Sequence, residues 1–201
     1  WRQGYKIVVG LDEAGRGPLA GPVVAAAVSV KNHALKIGDL TRARDSKQLT
    51  ESQREKLYEE IINQPGLKWG IGIVSEKVID KINILEATKL AMVKAVKNLQ
   101  KQLIPKIHDR GKMVRTGQSD ICLILDGNFT LSAASLTKAG VNLCVRQKSV
   151  VKGDQKVFSC AAASILAKVT RDRMMKKYHQ KYPRYLFDVH KGYGTKLHLK
   201  F

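Results

Sequence analysis

Residues 7–30, IVVGLDEAGRGPLAGPVVAAAVSV, constrain this chain most, because two apolar runs of strand length flank a turn punctuated by glycine. The pattern predicts a buried strand over Ile7, Val8, Val9 and Leu11, then a turn, then a return strand from Val23 to Val30. Two adjacent carboxylates, Asp12 and Glu13, stand where the first run ends. Neighbouring residues in a strand point to opposite faces, so both acids can serve one site only if the pleat breaks at or just after them. Gly15 and Gly17 permit such a break. Arg16, held between two residues without side chains, can meet a polyanion while the flanking backbone N–H groups approach the same ligand. An ordinary charged surface hairpin is the competing reading, and for an isolated Asp-Glu pair it is the simpler one.

The acidic ending recurs. Ile121 to Leu125 is another short run with a buried-strand pattern, and it ends in Asp126-Gly127-Asn128. Turn chemistry alone explains an Asp before Gly, yet acids at the ends of two core strands converge when those strands are neighbours. Lys152-Gly153-Asp154 directly precedes a helix with apolar positions Phe158, Ala161, Ala162, Ile165 and Val169. Asp154 then lies near a helix N-terminus, where negative charge is favoured, and the small residues from Ser159 to Ser164 suit close packing of that helix on a sheet. Arg171, Arg173, Lys176, Lys177, Lys181 and Arg184 follow, and we expect this basic end to contribute to an anion-binding groove rather than only to a solvated face. Tyr193, between two glycines, can stack on a sugar or base, or pack within its own turn.

Between these segments, Thr50 and Gln53 form a capping-box pair that predicts a helix from Glu51 to about Asn63. Asp45, Ser46 and Lys47 lie just ahead of it, where they can hold an anion or simply cap. Leu67 to Val74 reads as a third strand. Asn83 with Glu86 predicts a longer helix to roughly Gln100, with Leu85, Met92, Val96 and Leu99 as its core stripe and Lys89, Lys94, Lys97 and Lys101 on a solvated face. Residues 105–119 read as a loop or insertion, in which His108 is expected to be exposed. An Ala/Ser-rich helix within 129–143 and a short strand over Val141 to Val145 complete the pattern.

With 201 residues, 44% of them hydrophobic, the chain can build one domain over 1–201 with a sizeable core. Lys and Arg number 36 against 17 Asp and Glu, and the formal net charge of +19 points to an anionic partner such as nucleic acid. Cys122, Cys144 and Cys160 are odd in number and widely spaced, which argues against a disulfide framework or a zinc site and for reduced, buried thiols. No apolar run approaches the ~20 residues of a membrane span, and WRQGYK is not a signal peptide, so a cytoplasmic location is expected. A start on Trp1 suggests a trimmed fragment.

DEAGRGPLAGPVVAAAV strongly resembles the opening of type 2 ribonuclease H, the ribonuclease HII family. DSKQL at 45–49, LDGN at 125–128, VVKGDQKVFSCAAASILAKVTRDR at 150–173 and HKGYGT at 190–195 extend the resemblance along most of the chain, and the GRG separates it from the type 3 enzymes. The family continues beyond HKGYGT with further helical sequence, which suggests that the C-terminus here is truncated. The resemblance implies an α/β fold of the ribonuclease H-like kind, a mixed five-stranded sheet flanked by helices on both faces. It makes Asp12, Glu13 and Asp126 metal ligands, with Asp154 completing the active-site acids, and it favours phosphate contact for Lys47. It implies that Gly15, Arg16 and Gly17 read a ribose 2′-hydroxyl through backbone atoms while Tyr193 stacks beneath the sugar.

The implied reaction is endonucleolytic cleavage 5′ of a ribonucleotide, within an RNA–DNA hybrid or singly embedded in duplex DNA, leaving 3′-hydroxyl and 5′-phosphate ends. Mg²⁺ or Mn²⁺ is the implied cofactor, as two ions once substrate is bound, and the implied role is removal of misincorporated ribonucleotides and RNA primers in replication and repair. A monomer is expected, and a replication-clamp partner is not legible in the residues. Phosphodiester hydrolysis needs an activated water, charge relief and leaving-group assistance, which two cations held by oxygen ligands supply. Clustered carboxylates without metal should repel one another and raise some of their pKa values. Two rival readings compete: a non-catalytic basic nucleic-acid-binding protein, to which strand-end acids would be a liability, and a DNA-directed nuclease on a related fold, which needs no 2′-hydroxyl reader.

Overall fold

The computed structural model describes residues 5, 7–31, 49–103, 121–141 and 145–201. Lys47 with Asp45 and Ser46, His108 with the 105–119 loop, and Cys144 lie outside the described residues. A five-stranded mixed sheet runs in the order β3-β2-β1-β4-β5. Its strands are β1 (Ile7–Ala14), β2 (Val23–Lys31), β3 (Leu67–Val74), β4 (Ile121–Asp126) and β5 (Val145–Val150). β1, β2 and β3 form an antiparallel meander, and β4 and β5 add in parallel on the other side of β1.

β2 reads as a continuous apolar run because both of its faces are covered. Val23, Ala25 and Ala27 pack with Val9 and Leu11 of β1 against α2 (Glu76–Leu103). Val24, Ala26, Val28 and Val30 face α1 (Glu51–Asn63) and α5 (Phe158–Lys181). Helices therefore flank both faces, as the family resemblance implies. α1 begins where expected: Gln53 N–H donates to the Thr50 hydroxyl, and Thr50 N–H donates to the Gln53 side chain.

α2 departs from expectation at its start. It begins at Glu76 and kinks at Asn83, whose φ of 67° leaves the helical region. Asn83 Oδ1 still caps the main segment by accepting from Leu85 and Glu86 N–H at 3.0 and 3.1 Å. Met92, Val96 and Leu99 are buried, but Leu85 is exposed and does not belong to the core stripe. Lys94 is not on a purely solvated face either: Lys94, Asn98 and Gln102 donate to the outward carbonyls of Ile73, Ile71 and Trp69. Four helix residues advance about 6 Å and two strand residues about 6.7 Å, so residues four apart on α2 match alternate carbonyls of β3. This ladder shields an edge that would otherwise template pairing with another chain.

Two smaller elements, α3 (Ala133–Lys138) and α4 (Gly153–Lys156), precede α5, and α6 (Phe187–His190) follows it. β5 lies later than the expected Val141 to Val145, and its alternately exposed pattern marks it as the partly solvated edge of the sheet. Among the described residues no helix is long and apolar enough to cross a membrane.

The α2–β3 contact is backbone on backbone. A Cβ at Gly72 would lie 2.0 Å from Ala91 O and 2.7 Å from Ala95 N. Gly72→Ala must push α2 off the strand, and overpacking of this kind costs about 1–3 kcal/mol. Thermal unfolding should show a Tm lower by about 2–12 °C, and an unchanged Tm would contradict the packing.

Candidate active site

β1 does not break at its acids. The antiparallel ladder with β2 continues through Asp12↔Ala26, Glu13↔Ala25 and Ala14↔Val24, so the break in the pleat falls just after the acids, at Gly15, as the glycines suggested. On the opposite side the parallel ladder with β4 stops at Leu11↔Leu125. Asp12 and Asp126 therefore stand side by side at the ends of adjacent strands, separated by about one interstrand spacing of 4.8 Å along the sheet.

Asp12 lies on the same face of β1 as Gly10, towards α5, where the Ser164 hydroxyl bonds its carboxylate. Glu13 points to the other face and is held by Arg16 at 3.0 Å, while Glu13 Oε2 is buried without a hydrogen-bond partner. Asp126 accepts from Gly153 N–H at 2.9 Å, and a Cβ at Gly153 would lie 3.5 Å from Asp126 Cβ. Asp154, adjacent to that glycine, is only 2% exposed and Asp12 8%. The structure thus brings all four predicted acids to one end of the sheet.

Two of the acids are raised, by burial first and by their acidic neighbours second. Burial, and then the charges of Glu13 and Asp126, push Asp12 well above its ordinary value of 3.8. Burial also raises Glu13 above 4.5, opposed by Arg16. Among the described residues no three carboxylate, imidazole or thiol groups surround a common point closely enough to hold an ion. The donor chemistry nevertheless suits a hard divalent cation, since carboxylate oxygens predominate, one is an orphan, and their mutual repulsion is what a cation relieves.

A cleft of about 400 Å³ opens beside Glu13, lined by Gly15, Arg16, Gly17, Arg54, Ser164, Lys168 and Tyr193. Tyr193 is 44% exposed, and a Cβ at Gly17 would lie 3.6 Å from its Cε1. Gly15 adopts φ +111°, a conformation side chains rarely take, and a Cβ there would collide with Pro22 O at 2.5 Å. Lys168 sits over the Tyr193 ring, 5.7 Å from its centroid, and pairs with Asp172 at 2.8 Å.

Arg54, Ser164 and Lys168 were not singled out by the sequence. Their signal was there: Ser164, Lys168 and Asp172 recur every fourth residue on α5 and so share one face. The expected basic groove on α5 is corrected in part. Arg171 is buried, Arg173 pairs with Glu55 and Glu59, and Lys176 pairs with Glu51. These cations tie α5 to α1 and to the glycine turn instead of forming a free cationic surface.

The ribonuclease HII family model matches residues 9–200. A ribonuclease HII of Acetivibrio thermocellus is 48% identical over 200 residues, which is 100% of this chain and 66% of that protein. One from Orientia tsutsugamushi strain Ikeda is 47% identical over 195 residues, 97% of this chain and 78% of that protein. The crystal structure of the ribonuclease H2 from Pyrococcus horikoshii OT3 is similar with a TM-score of 0.68 at 28% identity, over 96% of this chain and 83% of that one. The chain thus spans just under two thirds of the length of the first of these relatives. Matched from near the start of its first strand almost to its last residue, the chain belongs to the ribonuclease HII family, whose members are ribonuclease H endonucleases, hydrolases of phosphodiester bonds.

Proposed function

We propose that this protein is a divalent-metal-dependent endoribonuclease that hydrolyses the phosphodiester 5′ of a ribonucleotide, in RNA–DNA hybrids and at single ribonucleotides embedded in duplex DNA, leaving 3′-hydroxyl and 5′-phosphate ends. The observation that carries this reading is the end of the β1–β4 ladder at Leu11↔Leu125, which sets Asp12 and Glu13 beside Asp126. Its biological use would be removal of misincorporated ribonucleotides and RNA primers, by a monomer working inside the cell.

Asp12, Glu13 and Asp126 would hold Mg²⁺ or Mn²⁺, and Asp154 completes the acidic set. When bound, such ions supply an activated water, charge relief on phosphate oxygens and assistance to the departing oxygen. Gly153 N–H keeps Asp126 oriented, and Ser164 does the same for Asp12. Arg16 neutralises Glu13 in the free protein. A substrate phosphate competes for that guanidinium and frees Glu13 to turn towards its neighbours.

Ribose selectivity requires a contact with the 2′-hydroxyl, the group that separates RNA from DNA. The backbone of Gly15, Arg16 and Gly17 lines the cleft next to Tyr193, which stacks beneath the sugar in this reading. Lys168 and Arg54 lend positive charge to the same cleft. Lys47 is proposed to add a phosphate contact.

The decisive assay incubates a DNA duplex carrying one ribonucleotide with the protein in Mg²⁺, in Mn²⁺ and in EDTA, beside an all-DNA duplex. Cleavage is expected only at the ribonucleotide and only with metal, and Asp126→Asn should lower kcat by at least about 10²-fold, as loss of a group that acts on developing charge does. Cutting of the all-DNA duplex, or turnover in EDTA, would refute the reading. Tyr193→Ala should weaken cleavage at a single ribonucleotide more than it weakens duplex binding, and equal losses in the two would exclude the stacking role.

The raised acids give a second test. A carboxylate whose folded pKa is raised binds its proton more tightly in the folded state, so stability present below the unfolded value is lost as pH rises through the folded one. Without metal, Asp12→Asn should therefore be more stable than the parent protein at neutral pH, by about 1.4 kcal/mol per pKa unit. The gap should close as pH falls towards 4, and saturating Mg²⁺ should reverse the order. Parallel Tm–pH curves for the two proteins would disprove the upward shift of Asp12 that burial and its acidic neighbours cause.

A further inference from the structure

We infer that Arg171 is a positioning residue that fixes the glycine turn and the Tyr193 loop relative to each other, an inference that rests on the ribose-reading role proposed above. Arg171 lies on α5 and is 1% exposed. Its guanidinium spends its donors on three main-chain carbonyls. Nε donates to Pro22 O at 3.0 Å and Nη2 to Ala20 O at 2.9 Å, both in the 15–22 turn, and Nη1 donates to Lys191 O at 2.8 Å, beside the Tyr193 loop. One planar group thus joins two segments that are far apart in sequence.

The junction is built around that group. Gly15 and Gly21 both have positive φ, and a Cβ would lie 2.7 Å from Nε at Gly15 and 3.3 Å from Nη2 at Gly21. Gly192 O accepts from Leu19 N–H at 2.9 Å and from Ala20 N–H at 3.3 Å, so the two segments also bond directly. A Cβ at Gly192 would lie 2.3 Å from Ala20 O. His190 seats the same glycine, since its Nδ1 accepts from Gly192 N–H at 3.1 Å and its Nε2 bonds Tyr185 O at 2.7 Å. Lysine cannot replace the fork, because a single ammonium on a flexible stem does not reproduce three donors held in fixed directions towards carbonyls of two segments.

The consequence is geometric. Gly17 and Tyr193 border the cleft side by side, with the Gly17 Cβ position 3.6 Å from Tyr193 Cε1, so a ribose resting against both is gauged by a spacing that Arg171 sets. A shift of about 1 Å in such a site costs about 10²-fold in rate. Arg171 touches no reacting atom, and its effect is expected on kcat and not on duplex affinity, which the phosphate contacts dominate.

The test compares the parent protein with Arg171→Ala and Arg171→Lys on the duplex with one ribonucleotide, with duplex Kd measured separately in EDTA. Each variant should lose about 10²-fold in kcat with Kd changed less than about twofold. Millimolar guanidinium should restore part of the kcat of Arg171→Ala, whereas methylammonium at the same concentration should not. A merely structural role would lower Tm and the folded fraction without selective rescue. If Arg171→Ala does not fold, Arg171→Lys decides alone: parental kcat overturns the inference, and so does a loss of Kd equal to the loss of kcat. If the parent protein itself fails to cut at the ribonucleotide, the proposed function falls and takes this inference with it, whereas a cutting parent with unaffected variants removes this inference only.

Discussion

The arrangement of the site depends on a side chain that is absent. At Gly10, in the middle of β1, a Cβ would lie 2.2 Å from Cys160 N and Ser159 C, so strand and helix touch through their backbones. That contact pins the first turn of α5 over the centre of the sheet, and Cys160 Sγ reaches Ile124 O of the neighbouring strand at 3.4 Å. α4 ends just before this turn and is thereby delivered to the end of β4, where Gly153 meets Asp126. From Cys160 onward α5 rises about 1.5 Å per residue. It presents Ser164 to Asp12, Lys168 to the cleft and Arg171 to the glycine turn in succession. Any residue larger than glycine at position 10 would lift this helix and displace each of those contacts together.

What was legible in the sequence follows from which interactions leave a pattern. The strand ends at Asp12 and Asp126 and the α1 capping box were readable because apolar runs and local side-chain-to-backbone bonds are written in adjacent residues. The neighbour relation between the two acids was an inference from their repeated ending, and the parallel register supplies its reason. β5 was placed too early because VRQKSV alternates exposed positions along a sheet edge and lacks an apolar signal. The start of α2 was missed because a turn of helix precedes Asn83, and a single left-handed residue joins the two segments without any break in polarity. Arg171 was misread as a surface cation. Its partners are backbone carbonyls, two of them about 150 positions earlier, and a main-chain acceptor carries no residue-type signature.

The charge distribution divides in the same way. Pairing every one of the 17 acids would still leave the net +19, so a positive field surrounds the molecule whatever its local contacts. The exposed pairs of α5 with α1, such as Lys176 with Glu51, add little stability individually. They do remove those side chains from the anion-binding surface. Arg16, Arg54 and Lys168 remain around the cleft and face Glu13 alone among its acids. Long-range attraction and local placement are thus handled by different residues.

A field of this kind cannot by itself separate RNA from DNA, because a ribonucleotide and a deoxyribonucleotide bring the same phosphate charge. The buried acids cannot separate them either, since their repulsion is relieved by any cation. Discrimination under the proposed activity must therefore come from groups of fixed position: the backbone of the glycine turn and the face of Tyr193. Main-chain amides and an aromatic ring have no long-range pull, so their worth depends on being held still. A buried guanidinium bonded to three carbonyls holds them still more firmly than exposed ion pairs could, because its donors point in fixed directions and no water competes for them. Rigidity behind the cleft and charge around it are separate requirements, and α5 meets the first with Arg171 and contributes to the second with Lys168.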